Sequence, residues 1–157
     1  MTPQRIRQVK REIRVLGVAV RRDANGYIII GIVYRGNLWL DGALMAHSNS
    51  DDLTTAIADM LAGSPHSGQV RVILLNRHNL PSEARIDASE LSSKAGKPVI
   101  ILGDGALWVW KMEGKEIHYT AEGLGRWTAE AVLRASTREC VTPEALRVAA
   151  LTLSALT

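Results

Sequence analysis

The chain has 157 residues, a net charge of +3, 46% hydrophobic residues and one cysteine, a size that suits one domain over residues 1–157 with a sizeable core. A lone Cys140 excludes an internal disulfide and a thiolate metal cluster, and fits a reducing cytoplasm. The longest apolar stretch near the C-terminus, 148–156, falls well short of the ~20 residues that a spanning helix needs, and the charged N-terminus has no signal-peptide pattern, so no membrane role is expected.

Taken in order, residues 1–12 form a basic lead-in, and 13–20, Ile-Arg-Val-Leu-Gly-Val-Ala-Val, read as the first strand. Up to residue 22 the cations Arg5, Arg7, Lys10, Arg11, Arg14, Arg21 and Arg22 face only Glu12, while the remainder is net acidic. That polarity suits an N-terminal segment seated on nucleic-acid phosphates; the alternative is a solvated edge. Asp23-Ala24-Asn25-Gly26 supplies a turn, Asn-Gly being the pair that accepts positive φ most readily. The uncharged, β-branched run 27–34 predicts a strand buried on both faces and central in the sheet. After a second turn at 35–37, residues 38–47 return as a third strand, which completes an antiparallel meander.

The period then changes. Ser50 is expected to cap a helix with Asp51 and Asp52 in its first turn and Leu53, Ile57, Met60 and Leu61 as its apolar stripe. A strand at 70–75, a loop at 76–84, a helix over 87–95 and a strand at 98–102 follow, and crossover helices of this kind imply parallel pairing. Segments 107–112 and 115–119 form a peripheral hairpin, and a helix at 127–135 precedes one that opens with Thr142 as cap and Pro143 at its first position. Three antiparallel strands, then parallel strands with crossover helices, is the order of an α/β ribonuclease H-like mixed sheet. In that architecture, acids at strand ends converge to hold two divalent ions about 3.5 to 4 Å apart.

Six segments in register carry a closer likeness: 13–18, Gly-Ile-Val-Tyr-Arg-Gly at 31–36, Trp-Leu-Asp-Gly at 39–42, the helix start Asp52-Leu53-Thr54, Lys97-Pro98-Val99-Ile100, and Thr142 through Ala149. Together they resemble the archaeal endonuclease V-like family known as endonuclease dU. The resemblance implies a ribonuclease H-like fold, a role in DNA repair and, in active members, Mg- or Mn-dependent nicking of DNA at deoxyuridine; the lone cysteine separately leads to the expectation of a cytoplasmic location. It fails where the chemistry sits. Ala19, Val20 and Arg21 replace an Asp-Asp-Gly, Asn49-Ser50 and Asn76-Arg77 each replace an Asp-Gly, and Ala150 replaces a histidine.

Asp52 and Asp87 remain as candidate metal ligands, although each also falls where an acid caps a helix. Two carboxylates without an acid on the first strand hold magnesium loosely at best. The loop Asn76-Arg77-His78-Asn79 lies beyond the fourth strand, where ligand contacts gather in α/β sheets, and Arg35 is expected to approach the same cleft, so that Arg77 and Arg35 grip phosphates. Trp108 and Trp110 share one strand face as a base-stacking pair, whereas Trp39 and Trp127 read as core filler in a chain without phenylalanine. The leading expectation is a divergent, catalytically inactive relative of a metal-dependent endonuclease that keeps nucleic-acid (DNA or RNA) or protein-partner binding. Its rivals are an active enzyme whose ligands have moved to Asp41, Asp52, Asp87 or Asp104, and a structural subunit of a larger assembly.

Overall fold

Seven strands form one sheet in the order β3-β2-β1-β4-β5-β7-β6. The computed structural model describes residues 6, 8–103, 105, 108–138 and 142–156. The elements run β1 (Arg14–Asp23), β2 (Gly26–Arg35), β3 (Trp39–Ser48), α1 (Thr54–Ala62), β4 (Val72–Asn76), a 3-10 turn (Arg77–Asn79), α2 (Ala88–Ala95), β5 (Val99–Leu102), β6 (Trp108–Met112), β7 (Lys115–Glu122), α3 (Arg126–Ser136) and α4 (Glu144–Ala155). The first three strands are antiparallel, β1, β4 and β5 are parallel, and β7 returns antiparallel on β5 with β6 outside it. This is the predicted mixed sheet. β2 is interior, as its apolar run requires, but the centre of the sheet is β4, because the 107–119 hairpin extends the sheet rather than standing apart from it.

Alternation along β1 divides its side chains between two cores. Val15 and Ala19 face α3 and α4, packing with Val132, Leu133, Ala145 and Leu146; Leu16, Val18 and Val20 face α1 and α2, packing with Leu53, Ile57, Leu61 and Leu91. Gly17 lies on the α4 face. A Cβ there would stand 2.5 Å from the Ala145 carbonyl carbon and 2.7 Å from its oxygen, so the glycine is what lets the start of α4 touch the strand.

Several local expectations are revised. Helix α1 begins at Thr54 with Leu53 at the cap position and no acid in its first turn, because Ser50 Oγ accepts from Asp52 N and Asp52 Oδ1 accepts from Thr54 N, two successive side-chain turns that delay the helix. At α4 the cap position belongs to Pro143, whose extended ψ of 141° keeps it outside the helix, and Thr142 lies before it. In the first hairpin only Gly26 takes positive φ, at 127°. Its missing side chain leaves room for the Ser48 carbonyl oxygen.

The tryptophans are inverted relative to expectation: Trp110 is 3% exposed, whereas Trp39 and Trp127 are 47% and 83% exposed. Trp110 packs into the α3/α4 core, and Trp108 lies against the Tyr119 ring at 5.6 Å. Two fully buried tyrosines, Tyr27 and Tyr119, fill the space that phenylalanine would take elsewhere.

Candidate nucleic-acid interface

Parallel strands bring their C-terminal ends to one edge, and there β1 and β4 open into a cleft beneath the second half of α4. The cleft has a volume of about 460 Å³ and is lined by Val20, Arg21, Arg22, His78, Asn79, Leu80, Pro81, Ala150, Leu153 and Ser154. It is continuous with a second hollow that shares Asn79, Ala150 and Ser154 and adds Asn76, Thr142 and Arg147. A third, on the far side of the 3-10 turn, brings Glu116 and His118 of β7 beside Asn76 and His78.

Val20, Asn76 and Ala150, which come from three distant parts of the sequence, therefore meet around one opening. Ala19 is fully buried in the apolar layer beneath α4. Asn49 lies outside this opening, exposed beyond the end of β3.

Arg21 is the residue that most changes the cleft. Its Nη1 donates to the carbonyl oxygens of Leu153 at 2.8 Å and Leu156 at 2.7 Å, so the guanidinium sits on the carbonyl end of α4, where the helix dipole favours a cation. Arg22, beside it, pairs with Glu83 at 3.1 Å and lies 5.8 Å over the Tyr27 ring. Tyr27 in turn donates to Asp51 Oδ1 at 2.6 Å, a bond that raises the phenol above its ordinary pKa.

The 3-10 turn is held by Asn76, whose Oδ1 accepts from His78 N at 3.0 Å. Arg77 and His78 project from it, both exposed. The Arg77 stem passes over Gly103, where an added Cβ would lie 2.9 Å from Arg77 Cβ, so glycine there permits the arginine's path. Arg147 was not foreseen: it sits at the rim, joined to Glu144 at 2.7 Å, with the Glu144 side chain 5% and the Arg147 side chain 44% exposed. Glu144 and Arg147 are three apart on a helix, so the pairing was open to inspection of the sequence.

Asp52 and Asp87 are brought near each other, but outside this cleft. Thr54 joins them, giving its N–H to Asp52 Oδ1 at 3.2 Å and accepting from Asp87 N on its Oγ1 at 3.0 Å. Asp87 caps α2 through Glu90 N at 3.0 Å. The Asp52 carboxyl is held below its ordinary range by the Thr54 backbone and side-chain hydrogen bonds, with Arg85 and Lys94 adding to them.

Arg35 is not in this cleft. Antiparallel pairing places it opposite Arg14, at the start of β1, roughly 23 Å from Arg21 at about 3.3 Å per strand residue. There Asp41 receives Arg14 Nε at 2.9 Å and Arg35 Nε at 2.8 Å, and Arg35 lies 5.4 Å over Trp39. Lys10 and Arg14 line a hollow at that same edge. Of the described N-terminal cations, Lys10 and Arg14 thus lie at one edge of the sheet and Arg21 and Arg22 at the other, rather than all forming one face. Arg5, Arg7 and Asp104 lie outside the described residues.

Divalent magnesium or manganese wants several oxygen ligands, chiefly carboxylates. Among the described residues no carboxylate lines the main cleft or the hollow continuous with it, and Arg21 and Arg22 contribute positive charge to its wall. Among the described residues no three His, Cys, Asp or Glu side chains are grouped to hold a metal ion. The donor set at this edge therefore does not fit the ions that the family resemblance implies.

The sequence pattern of the family described as Endonuclease dU matches residues 11–108. This chain belongs to the Endonuclease dU family. A UPF0215 protein of Methanosarcina acetivorans is 30% identical over 90% of this chain and 89% of its own, and one of Pyrococcus furiosus is 31% identical over 96% and 95%. One of Methanothermobacter thermautotrophicus is 37% identical over 65% of this chain; there the match spans only 53% of the relative. Among solved structures, a protein of unknown function from Archaeoglobus fulgidus superposes with a TM-score of 0.78 at 21% identity, covering 91% of this chain and 97% of its own. Endonuclease V of Bacillus subtilis superposes with a TM-score of 0.61 at 11% identity, covering 91% and 79%. These two likenesses establish the shared fold. None of the described helices is long and apolar enough to cross a membrane.

Proposed function

We propose that this chain is a divergent Endonuclease dU relative that has lost metal-dependent cleavage and keeps nucleic-acid binding at the C-terminal edge of β1 and β4. The observation that carries this reading is Arg21. The resemblance places a metal-binding Asp-Asp-Gly at 19–21, and here the third of those positions holds a guanidinium fixed on the carbonyl end of α4. A fixed cation repels a divalent ion by about 1 kcal/mol per unit charge at 4 Å in water and several times that near a protein surface. Restoring a single acid at Ala19 would not reverse this, because that side chain points into the apolar layer under α4.

The same features suit a polyanion. Arg77 and His78 stand exposed on the 3-10 turn, Arg147 lies along the rim, and Asn79 and Ser154 offer neutral hydrogen-bonding groups between them. Phosphate contacts of this kind position a nucleic acid without reading its bases. In the cell the protein would act by occupying a nucleic-acid site rather than by cutting it. Fluorescence anisotropy with labelled single- and double-stranded DNA and RNA tests this: affinity should fall steeply as salt rises. A chain that fails to bind any of these even at low salt contradicts the reading.

A further inference from the structure

At the opposite edge of the sheet, where β1, β4 and β5 begin, two cations, Arg71 and Lys97, make no ion pair among the described residues. Arg14 and Arg35 share Asp41, but neighbouring Arg71 has no side-chain partner among the described residues, and its Nε is buried with no hydrogen bond. Lys97, at the entry to β5, is 6% exposed. Burial lowers the ammonium's pKa, and the Arg71 charge lowers it further. Arg71 lines a hollow of about 360 Å³ with Gln8, Lys10, Glu12, Arg14 and Gln69. Among the described lining residues, with Arg14 set against Asp41, Lys10 and Arg71 outnumber the carboxylate Glu12, and Lys97 lies close to Arg71.

Lys97 is buried and Arg71 half-buried with a buried Nε that has no hydrogen bond; desolvating unpartnered cations side by side is costly. An anion in the hollow removes both penalties. We propose that this hollow is a phosphoryl-binding site, with Arg71 as the principal ligand, Gln8, Gln69 and Lys10 as further donors, and Lys97 behind Arg71 adding positive potential. The planar fork of an arginine matches two oxygens of a phosphoryl group, and a dianion answers two cations. The ligand is free phosphate or the phosphate of a nucleotide or nucleic acid. The site is separate from the Arg77 cleft and stands or falls independently of it.

The test is a titration of the full chain, at constant ionic strength held with chloride, following the arginine Nε–Hε signals by nuclear magnetic resonance. Inorganic phosphate, a 5′-phosphorylated oligonucleotide and the same oligonucleotide without that group serve as probes. The Arg71 signal should shift saturably, and phosphate should raise the thermal midpoint. Lys97→Met should weaken that binding about tenfold, and Arg71→Gln should abolish the thermal gain. A response to both oligonucleotides assigns a diester source, to the phosphorylated one alone a terminal phosphate, and to inorganic phosphate alone a small ligand. Absence of a saturable Arg71 shift with every probe overturns the inference, as does a phosphate response confined to Arg77.

Discussion

Arg21 and Leu153 are 132 residues apart in sequence and joined by a 2.8 Å hydrogen bond from the guanidinium to the carbonyl oxygen. With the parallel bond to Leu156, this ties the end of β1 to the end of α4, the two elements that frame the cleft. The strand end where the resemblance implies acids here caps a helix. Arg21→Met keeps the apolar stem and removes both bonds, and should cost about 1–2 kcal/mol in urea unfolding. Unchanged stability would contradict the capping role.

Gly17 makes a second tie between the same two elements. Gly17→Ala drives a methyl group against the Ala145 backbone and should destabilise the fold by about 1–3 kcal/mol. Gly31→Ala is the comparison: its Cβ would meet the flexible end of Met60 at 2.8 Å, which can move aside. Thermal unfolding should rank Gly17→Ala well below Gly31→Ala, and the reverse order would show that α4 does not rest on the strand as described.

Asp41 makes stability depend on pH. Burial pushes its carboxyl up, but the hydrogen bonds and charges of Arg35 and Arg14 outweigh that and hold it below its ordinary value. A group depressed on folding stabilises above its unfolded pKa, about 3.9, and loses that contribution as pH falls through its folded pKa. Asp41→Asn should therefore cost about 1–3 kcal/mol at neutral pH, and the gap to the parent chain should close as pH falls below about 4. A gap constant with pH would argue against the two arginine bonds.

Arg77 is predicted to contact a single phosphate. Arg77→Ala should weaken binding to all nucleic-acid sequences alike and reduce the magnitude of the slope of log affinity against log salt by about 1. The stability of the variant should be close to that of the parent, since the exposed side chain makes no hydrogen bond or ion pair among the described residues. An unchanged salt slope would remove Arg77 from the interface.

Most of the scaffold was legible because each strand kept its period and each crossover its helix. The antiparallel meander, the parallel pairing of β1, β4 and β5, and the cap at Asp87 follow from local pattern alone. For the tryptophans composition is a poor guide: the absence of phenylalanine points to core filling, whereas phase decides. Helix α3 buries Ala129, Val132, Leu133 and Ser136, and Trp127 falls off that stripe. Trp39 opens an edge strand.

The placement of Arg35 failed for a comparable reason. A strand antiparallel to β1 must end where β1 begins, so Arg35 and Arg77 could never share an edge. What no sequence pattern could show is the tertiary step: that Arg21 reaches α4, that Thr54 lies between Asp52 and Asp87, and that Arg71 lies beside Lys97.

The most direct test of the central claim is incubation of the purified full chain with a deoxyuridine-containing duplex and with single-stranded DNA, in magnesium or manganese, followed by denaturing gel electrophoresis. The substrates should remain uncut above a chelator control while anisotropy shows them bound. Metal-dependent nicking at deoxyuridine that disappears in Asp52→Ala and Asp87→Ala would contradict this account and assign the chemistry to the acids beside Thr54.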